Sequence, residues 1–334
     1  MLALILSLGL CFSSQVAVAL ADSLQPPQTC EVGIYVTALR NFKLTEKTFD
    51  AEFRLWSICP TETLKPLKSI KIVGAIDPKI SYETFLAKKN VSDSFPSLDQ
   101  VYYHQQEINA TIAYSWNVDN YPFDRHVLKI QLEDEGQDIS KFIYTPDLDT
   151  SGYQKDMNLG AWKIKSFKLE EIQVPYATDF GDPSADKQQQ ARSRLVVSIN
   201  VQRQKAFSFF KLVAGVYAAI AMTTLSFFLD SAVPPFFTGR MSLLVGVLFA
   251  IIVNMRVVES AIGRTESITL ADFIHIVATG YVFAAALFAV YSRFQSEAGH
   301  ARFARRVDRH IFFPLFLLSF IIVNVVAISY AALV

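Results

Sequence analysis

Four apolar blocks beyond Arg203 constrain this chain more than any other feature. They fall at residues 207–229, 240–260, 271–294 and 311–334, and each is long enough for the roughly 20 apolar residues that a helical membrane crossing needs. The sequence before them is of another kind, with strand-like runs that alternate with charged turns. Of 334 residues, 51% are hydrophobic and 19% charged, a balance that leans toward a membrane protein of two domains. The formal net charge is zero, which argues against nucleic acid as a partner, since that calls for a basic surplus.

Residues 1–21 are apolar and end in Ala19-Leu20-Ala21, a small-residue pattern that reads as a secretory signal peptide. No Lys or Arg stands near its start, so an uncleaved anchor helix is the alternative. With the signal removed, Cys30 and Cys59 remain. They bracket two runs that read as a hairpin around the polar turn 43–47, which places them opposite each other across the strands. The pair is able to form a disulfide, which suits an oxidising, extracytoplasmic setting, or to stay as two buried thiols.

From Val32 to Arg203 the pattern is mostly of period two with frequent turn signals, as in an antiparallel sandwich. Phe49, Ala51, Phe53 and Leu55 share one strand face, and Leu195, Val197, Ile199 and Val201 share another. A strand with Val127, Leu128, Ile130 and Leu132 follows Tyr121-Pro122-Phe123-Asp124, a turn whose proline fixes one dihedral. The acidic run Glu133, Asp134, Glu135 and Asp138 reads as a solvated turn, with calcium binding or proton sensing as the sharper alternative.

The second apolar block is furnished unevenly. Stepping by three and four from Ser242 gives Gly246, Phe249, Val253 and Arg256, so small, aromatic and charged residues share one helical stripe. Lipid rejects such a stripe, and an arginine within a span normally faces protein or water. The stripe is therefore expected to line a pore.

The Tyr121-Pro122-Phe123-Asp124 turn with its strand, the run Thr48-Phe49-x-Ala51-x-Phe53-x-Leu55-Trp56, Arg203 just before the first block, and the four blocks themselves resemble the pentameric ligand-gated ion channels of the Cys-loop receptor superfamily. The resemblance extends from Val32 to the C-terminus. Tyr114 and Leu128 stand where animal members carry the loop cysteines, which is the state of the prokaryotic branch that lacks that disulfide.

Beside the signal peptide read at 1–21, this resemblance implies an extracytoplasmic all-β immunoglobulin-like sandwich at 22–205 that binds ligand, and a four-helix transmembrane bundle at 206–334, assembled as a homopentamer around a central pore. The implied function is a ligand-gated channel for small monovalent ions in the inner cell membrane, with the N-terminal domain outside the cytoplasm. Its partners would be four identical subunits, membrane lipid, permeating ions and a small-molecule, proton or cation agonist, with no cofactor. The link 294–310 carries Arg302, Arg305, Arg306 and Arg309 against Glu297 and Asp308, as a cytoplasmic segment should.

Carried over residue by residue, Arg240 opens the pore helix and joins Ser242, Gly246, Phe249, Val253 and Arg256 as pore lining. Phe249 takes the place of the hydrophobic gate, where five rings would close the pore by dewetting; before the resemblance, packing against a neighbouring helix is the simpler reading. Glu46 and Asp124 are expected to flank Arg203 in a coupling cluster, with Tyr121, Pro122, Phe123 and the loop at Gly263. Ligand candidates are Tyr102 and Tyr103, Tyr144 and Tyr153, and Tyr176 with Phe180, aromatics able to cage an amine or simply to fill strand faces. No acid occurs at 237–239, and Arg256 has Glu259 within a turn, so the residues lean toward anions or poor discrimination.

Two other function classes compete. An anchored hydrolase is disfavoured because His104, His126 and the dispersed carboxylates show no metal-ligand spacing, nucleophile elbow or phosphate loop. A non-conducting sensor of the same fold that signals to a partner is the closer rival, although the short inner segments leave such a partner little surface.

Overall fold

The computed structural model describes residues 26–90, 92–178, 190–204, 207–263 and 267–333; the signal reading over 1–21 and the ligand candidate Phe180 lie outside them. Ten strands come first: β1 (Gln28–Lys43), β2 (Thr48–Cys59), β3 (Ile70–Ile72), β4 (Ala75–Lys89), β5 (Gln100–Ala113), β6 (Arg125–Asp134), β7 (Phe142–Pro146), β8 (Gly152–Tyr153), β9 (Trp162–Tyr176) and β10 (Gln190–Arg203). They form two sheets, one in the order β4-β5-β2-β1-β7 with β8 also on β1, the other in the order β3-β6-β10-β9.

β1 and β2 make the expected hairpin. Glu31 pairs with Ile58, so the next position outward brings Cys30 to Cys59, and a disulfide joins them. Two register shifts, between Val36 and Ala38 and between Arg40 and Lys43, put the irregularity in the half of the hairpin nearer the turn. Along β2 the alternation seen in sequence holds, with Phe49, Ala51, Phe53 and Leu55 all buried. Leu128, Ile130 and Leu132 of β6 and Leu195, Val197, Ile199 and Val201 of β10 complete the core from the other sheet. Val127 does not join them. Period two puts it on the opposite face, where it is exposed.

The second half is helical: α1 (Phe207–Ser226), α2 (Pro234–Ile262), α3 (Leu270–Gln295), α4 (Ala301–Val307) and α5 (Phe313–Leu333), with π-helical turns at Ser296–His300 and Asp308–Phe312. Among the described residues, three helical stretches are long and apolar enough to cross a membrane: Phe209–Ser226, Pro234–Ser260 and Leu270–Leu333. The last spans 64 residues, but Gly299 interrupts its backbone at φ +88°. Past this kink α5 returns along α3, where Tyr281 meets the rings of Phe316 and Phe320, each at 5.2 Å. Phe288 stacks on Phe312 at 4.1 Å.

Two helix starts have clear causes. α2 begins at Pro234, well before the expected Arg240, because proline at the first helical positions gives up an N–H that has no intrahelical partner there. α3 opens on a capping box in which Thr269 accepts from the Asp272 backbone and Asp272 accepts from that of Thr269. The sheets meet the helices at this point, where the Leu270 amide donates to the Asp119 carbonyl at 2.9 Å.

Candidate functional site

The boundary between sheets and helices is built on Asp124, the residue just before β6, and Arg203, the last residue of β10. Arg203 Nε and Nη2 donate to the two carboxylate oxygens at 2.8 and 3.0 Å. The guanidinium also lies over Trp162 at 4.0 Å and over Tyr121 at 4.7 Å. His126 Nε2 is 2.9 Å from Asp124 Oδ2, and both Asp124 and His126 are buried. Burial pushes the Asp124 carboxyl up, but hydrogen bonds from His126 and Arg203 and the arginine charge outweigh it and hold the group below the usual carboxylate value. Tyr121 and Pro122 are buried beside this pair, with Phe123 half-buried. Tyr121 also packs on Phe209 of α1 at 6.4 Å.

Glu46 is not part of the cluster. It sits exposed in the first hairpin turn and binds Lys43 at 2.7 Å, because a neighbour three residues away on the same turn satisfies its charge without reaching for Arg203. The hairpin reaches the helices through Thr45 instead. A Cβ built on Gly263, the residue that ends α2, would lie 3.1 Å from Thr45 Cγ2 and 3.3 Å from its Cα. Gly263 has φ +92°, so glycine is required there twice over, for conformation and for the close approach.

α2 has two faces. Leu244, Val247, Ile251, Val258 and Ile262 are buried, whereas Ser242, Gly246, Phe249, Val253 and Arg256 are all exposed, Phe249 at 65%. A side chain at Gly246 would touch nothing within 4 Å; its effect is to thin the exposed face. Arg256 reaches Glu259 at 2.7 Å across one turn.

Arg240, expected to share this stripe, is the exception. It is fully buried, with Nη1 2.8 Å from Asp308 Oδ2 and 3.0 Å from Ser231 Oγ. A buried carboxylate at the start of the return toward α5 draws the arginine to the inside of the helical region, away from the exposed face of α2.

The aromatic ligand candidates separate. Tyr144 is buried and packs edge-on against Phe142 at 5.0 Å, which makes it a core residue rather than a ligand contact; burial pushes its hydroxyl well above the usual value. Tyr102 and Tyr103 are neighbours on β5 and so point to opposite faces. Tyr102 stacks with Phe85 at 6.2 Å, while Tyr103 lines a cavity of about 530 Å³ with Tyr82, Leu86 and Gln105. Tyr153 is half-buried against Phe167 at 6.0 Å. The Tyr176 hydroxyl lies 2.9 Å from Glu133 and accepts from Arg194 at 2.8 Å.

The acidic run differs from the solvated turn expected. Glu133 is buried and paired with Arg194 at 2.6 Å. Asp134, also buried, accepts from Ser69 at 2.8 Å and from the amides of Gly136 and Gln137 at 2.7 and 3.1 Å. β6 is an interior strand between β3 and β10, so its last residues are covered on both sides. Glu135 meets Lys71 at the surface, at 2.9 Å, and the half-buried Asp138 accepts from the Ser140 amide at 2.9 Å, as in a turn.

Sequence reasoning missed His126 and Trp162. His126 was within reach of it, since a residue two past Asp124 on a strand shares its face. Trp162 pairs with Arg203 across β9 and β10, a contact set by sheet register that no local pattern shows. Compared with known proteins, the chain matches no family model and no curated protein.

Proposed function

We propose that the chain is one subunit of a homopentameric ligand-gated ion channel in the inner cell membrane, with the sheets outside the cytoplasm and the exposed face of α2 lining the pore. The observation that carries this reading is the division of α2. One face packs into its own subunit; the other presents Ser242, Gly246, Phe249, Val253 and Arg256 with no intrachain cover. On an exposed side that also carries Val245, Ile252 and Val257, a stripe that combines Ser242, Gly246 and Arg256 with Val253 and one protruding phenyl ring suits a narrow aqueous path closed by an apolar ring.

Four crossings fit this arrangement. The stretch Leu270–Leu333 is far longer than the roughly 20 residues of one crossing, and it folds back past Gly299, so it supplies two. Tyr330 and Ala331 near its end line one cavity with Asp119 and Asn120 of the sheet region, which agrees with both chain ends of the membrane part lying on the outer side. Ligand binding would act through Thr45 on Gly263 and through the Asp124–Arg203 pair on the start of α1. With Arg256 neutralised by Glu259 and Arg240 turned inward, the pore carries little net charge on this face and discriminates poorly, with at most a slight anion preference.

Reconstitution in planar bilayers with single-channel recording tests the reading. Discrete openings support it. Intact, folded oligomer that never conducts across a screen of protons, divalent cations, amines and carboxylates would leave the non-conducting sensor as the better account.

A further inference from the structure

We propose that Arg240 and Asp308 form a buried ionic pin that sets the rotation of α2 about its own axis, so that Arg240 positions the pore lining without belonging to it. The proposal rests on the channel reading above and deepens it.

Arg240 is the largest of the fully buried side chains. The cluster around its guanidinium joins four segments: α2, the link before it, the turn at Asp308 and α3. Nη1 binds Asp308 at 2.8 Å and Ser231 at 3.0 Å, Asp308 Oδ1 accepts from Ser292 of α3 at 2.7 Å, and the guanidinium lies 4.9 Å over Phe227 beyond α1. Nearby, Asp230 pairs with Arg305 of α4, and Arg293 donates to the Ala232 carbonyl at 3.2 Å. The links before α2 and before α5 are therefore clasped together at one end of the helices.

Helix geometry makes that clasp directional. At about 100° per residue, Ser242 lies about 200° round from Arg240, and Gly246, Phe249, Val253 and Arg256 all fall within roughly 160–240° of it. Fixing Arg240 on the inside therefore turns the whole stripe outward. Stability alone does not account for the arrangement. A buried ion pair is often no more stabilising than apolar residues of the same size, and setting register is its best-attested use. Arg240 Nε and Nη2 have no hydrogen-bond partner, although the same edge of Arg203 grips Asp124. A pair held at that cost fits orientation better than adhesion.

The test is thiol accessibility in reconstituted protein with Cys11 replaced by Ser, using a charged, membrane-impermeant methanethiosulfonate on both sides. Ser242→Cys should react, and Leu244→Cys, on the buried face, should not. Combining Leu244→Cys with Arg240→Gln or Asp308→Asn should raise its modification rate at least tenfold, and the exchange Arg240→Asp with Asp308→Arg should restore protection. Because a single variant can fail to fold, the apolar pair Arg240→Met with Asp308→Leu is the deciding one: it should keep the melting temperature yet leave Leu244→Cys reactive. If that folded pair protects Leu244→Cys as the native pair does, the pin is overturned. If Ser242→Cys and Gly246→Cys are unreactive in the native background, the channel reading fails, and the pin, which is read out against that water-lined face, falls with it; a reactive Ser242→Cys beside a protected Leu244→Cys in the folded apolar pair overturns the pin alone.

Discussion

Arg203 and Asp124 stand 79 residues apart in sequence, yet meet through two parallel hydrogen bonds of 2.8 and 3.0 Å, side on, where the last strand gives way to the first helix. Both side chains are largely shielded, at 10% and 1% exposure. Such a pair fixes direction as well as distance, because a planar fork faces a planar carboxylate.

Removing one partner should therefore be severe. Arg203→Gln or Asp124→Asn is expected to cost about 3 to 5 kcal/mol by leaving a charge buried without its counterion, measured as the melting temperature in detergent. Arg203→Lys should not recover it, since an ammonium cannot make the bidentate contact. Agonist-evoked current should be lost in all three variants.

Acid should expose the same pair. The Asp124 carboxyl is held below its usual value in the fold, so its contribution is fully present above the unfolded value of about 3.9 and is lost as pH falls through the lower folded value. The stability gap between the native protein and Asp124→Asn should hold steady from neutral pH to about pH 5 and then shrink on further acidification. A gap that widened in acid would contradict this sign.

Phe249→Ser replaces the one large ring on the exposed stripe of α2 by a small hydroxyl. The variant should conduct without agonist, read as a standing leak in bilayers or as ion flux from loaded vesicles. A normally closed pore in the variant would remove Phe249 from the gate.

At Tyr144 the prediction separates core from ligand site. Its hydroxyl is buried with no hydrogen-bond partner in the structure, so Tyr144→Phe should be neutral or slightly stabilising. Tyr144→Ala should cost about 3 to 5 kcal/mol through the cavity it leaves. In the proposed channel, agonist sensitivity should be unchanged in Tyr144→Phe.

Breaking the disulfide with Cys59→Ser, in a background that also carries Cys30→Ser, releases a loop of 29 residues, worth about 3 to 4 kcal/mol in the chain-entropy account. Comparing melting temperatures of the oxidised protein and the double variant measures it.

What could be read from sequence follows the range of the interaction. Alternation along β2, β6 and β10 is local, and it placed the core of both sheets before any pairing was known. The hairpin brought Cys30 to Cys59 because its turn lies midway between them. Asp124 and Arg203 came from a resemblance in spacing, and the fold brings the two into contact. Glu46 failed because Lys43 is closer, a competition that spacing does not express. Arg240 failed for a related reason: Asp308 is 68 positions away, and only the return of α5 along α3 brings it near. Tyr144 lies on a five-residue strand that pairs in parallel with β1, and nothing in its neighbourhood announces that it is covered.

The first hairpin is covalently clamped at one end, by Cys30 and Cys59, and at its other end Thr45 abuts Gly263, which adds no side chain of its own. β2 alone has 12 residues, which at about 3.3 Å each make a bar roughly 40 Å long. In the proposed channel, a bar that cannot splay at its root and meets a glycine at its tip would act as a pushrod. Stiffness matters more to it than strength, and the cheapest way to disconnect it would be to soften the tip rather than to cut the clamp.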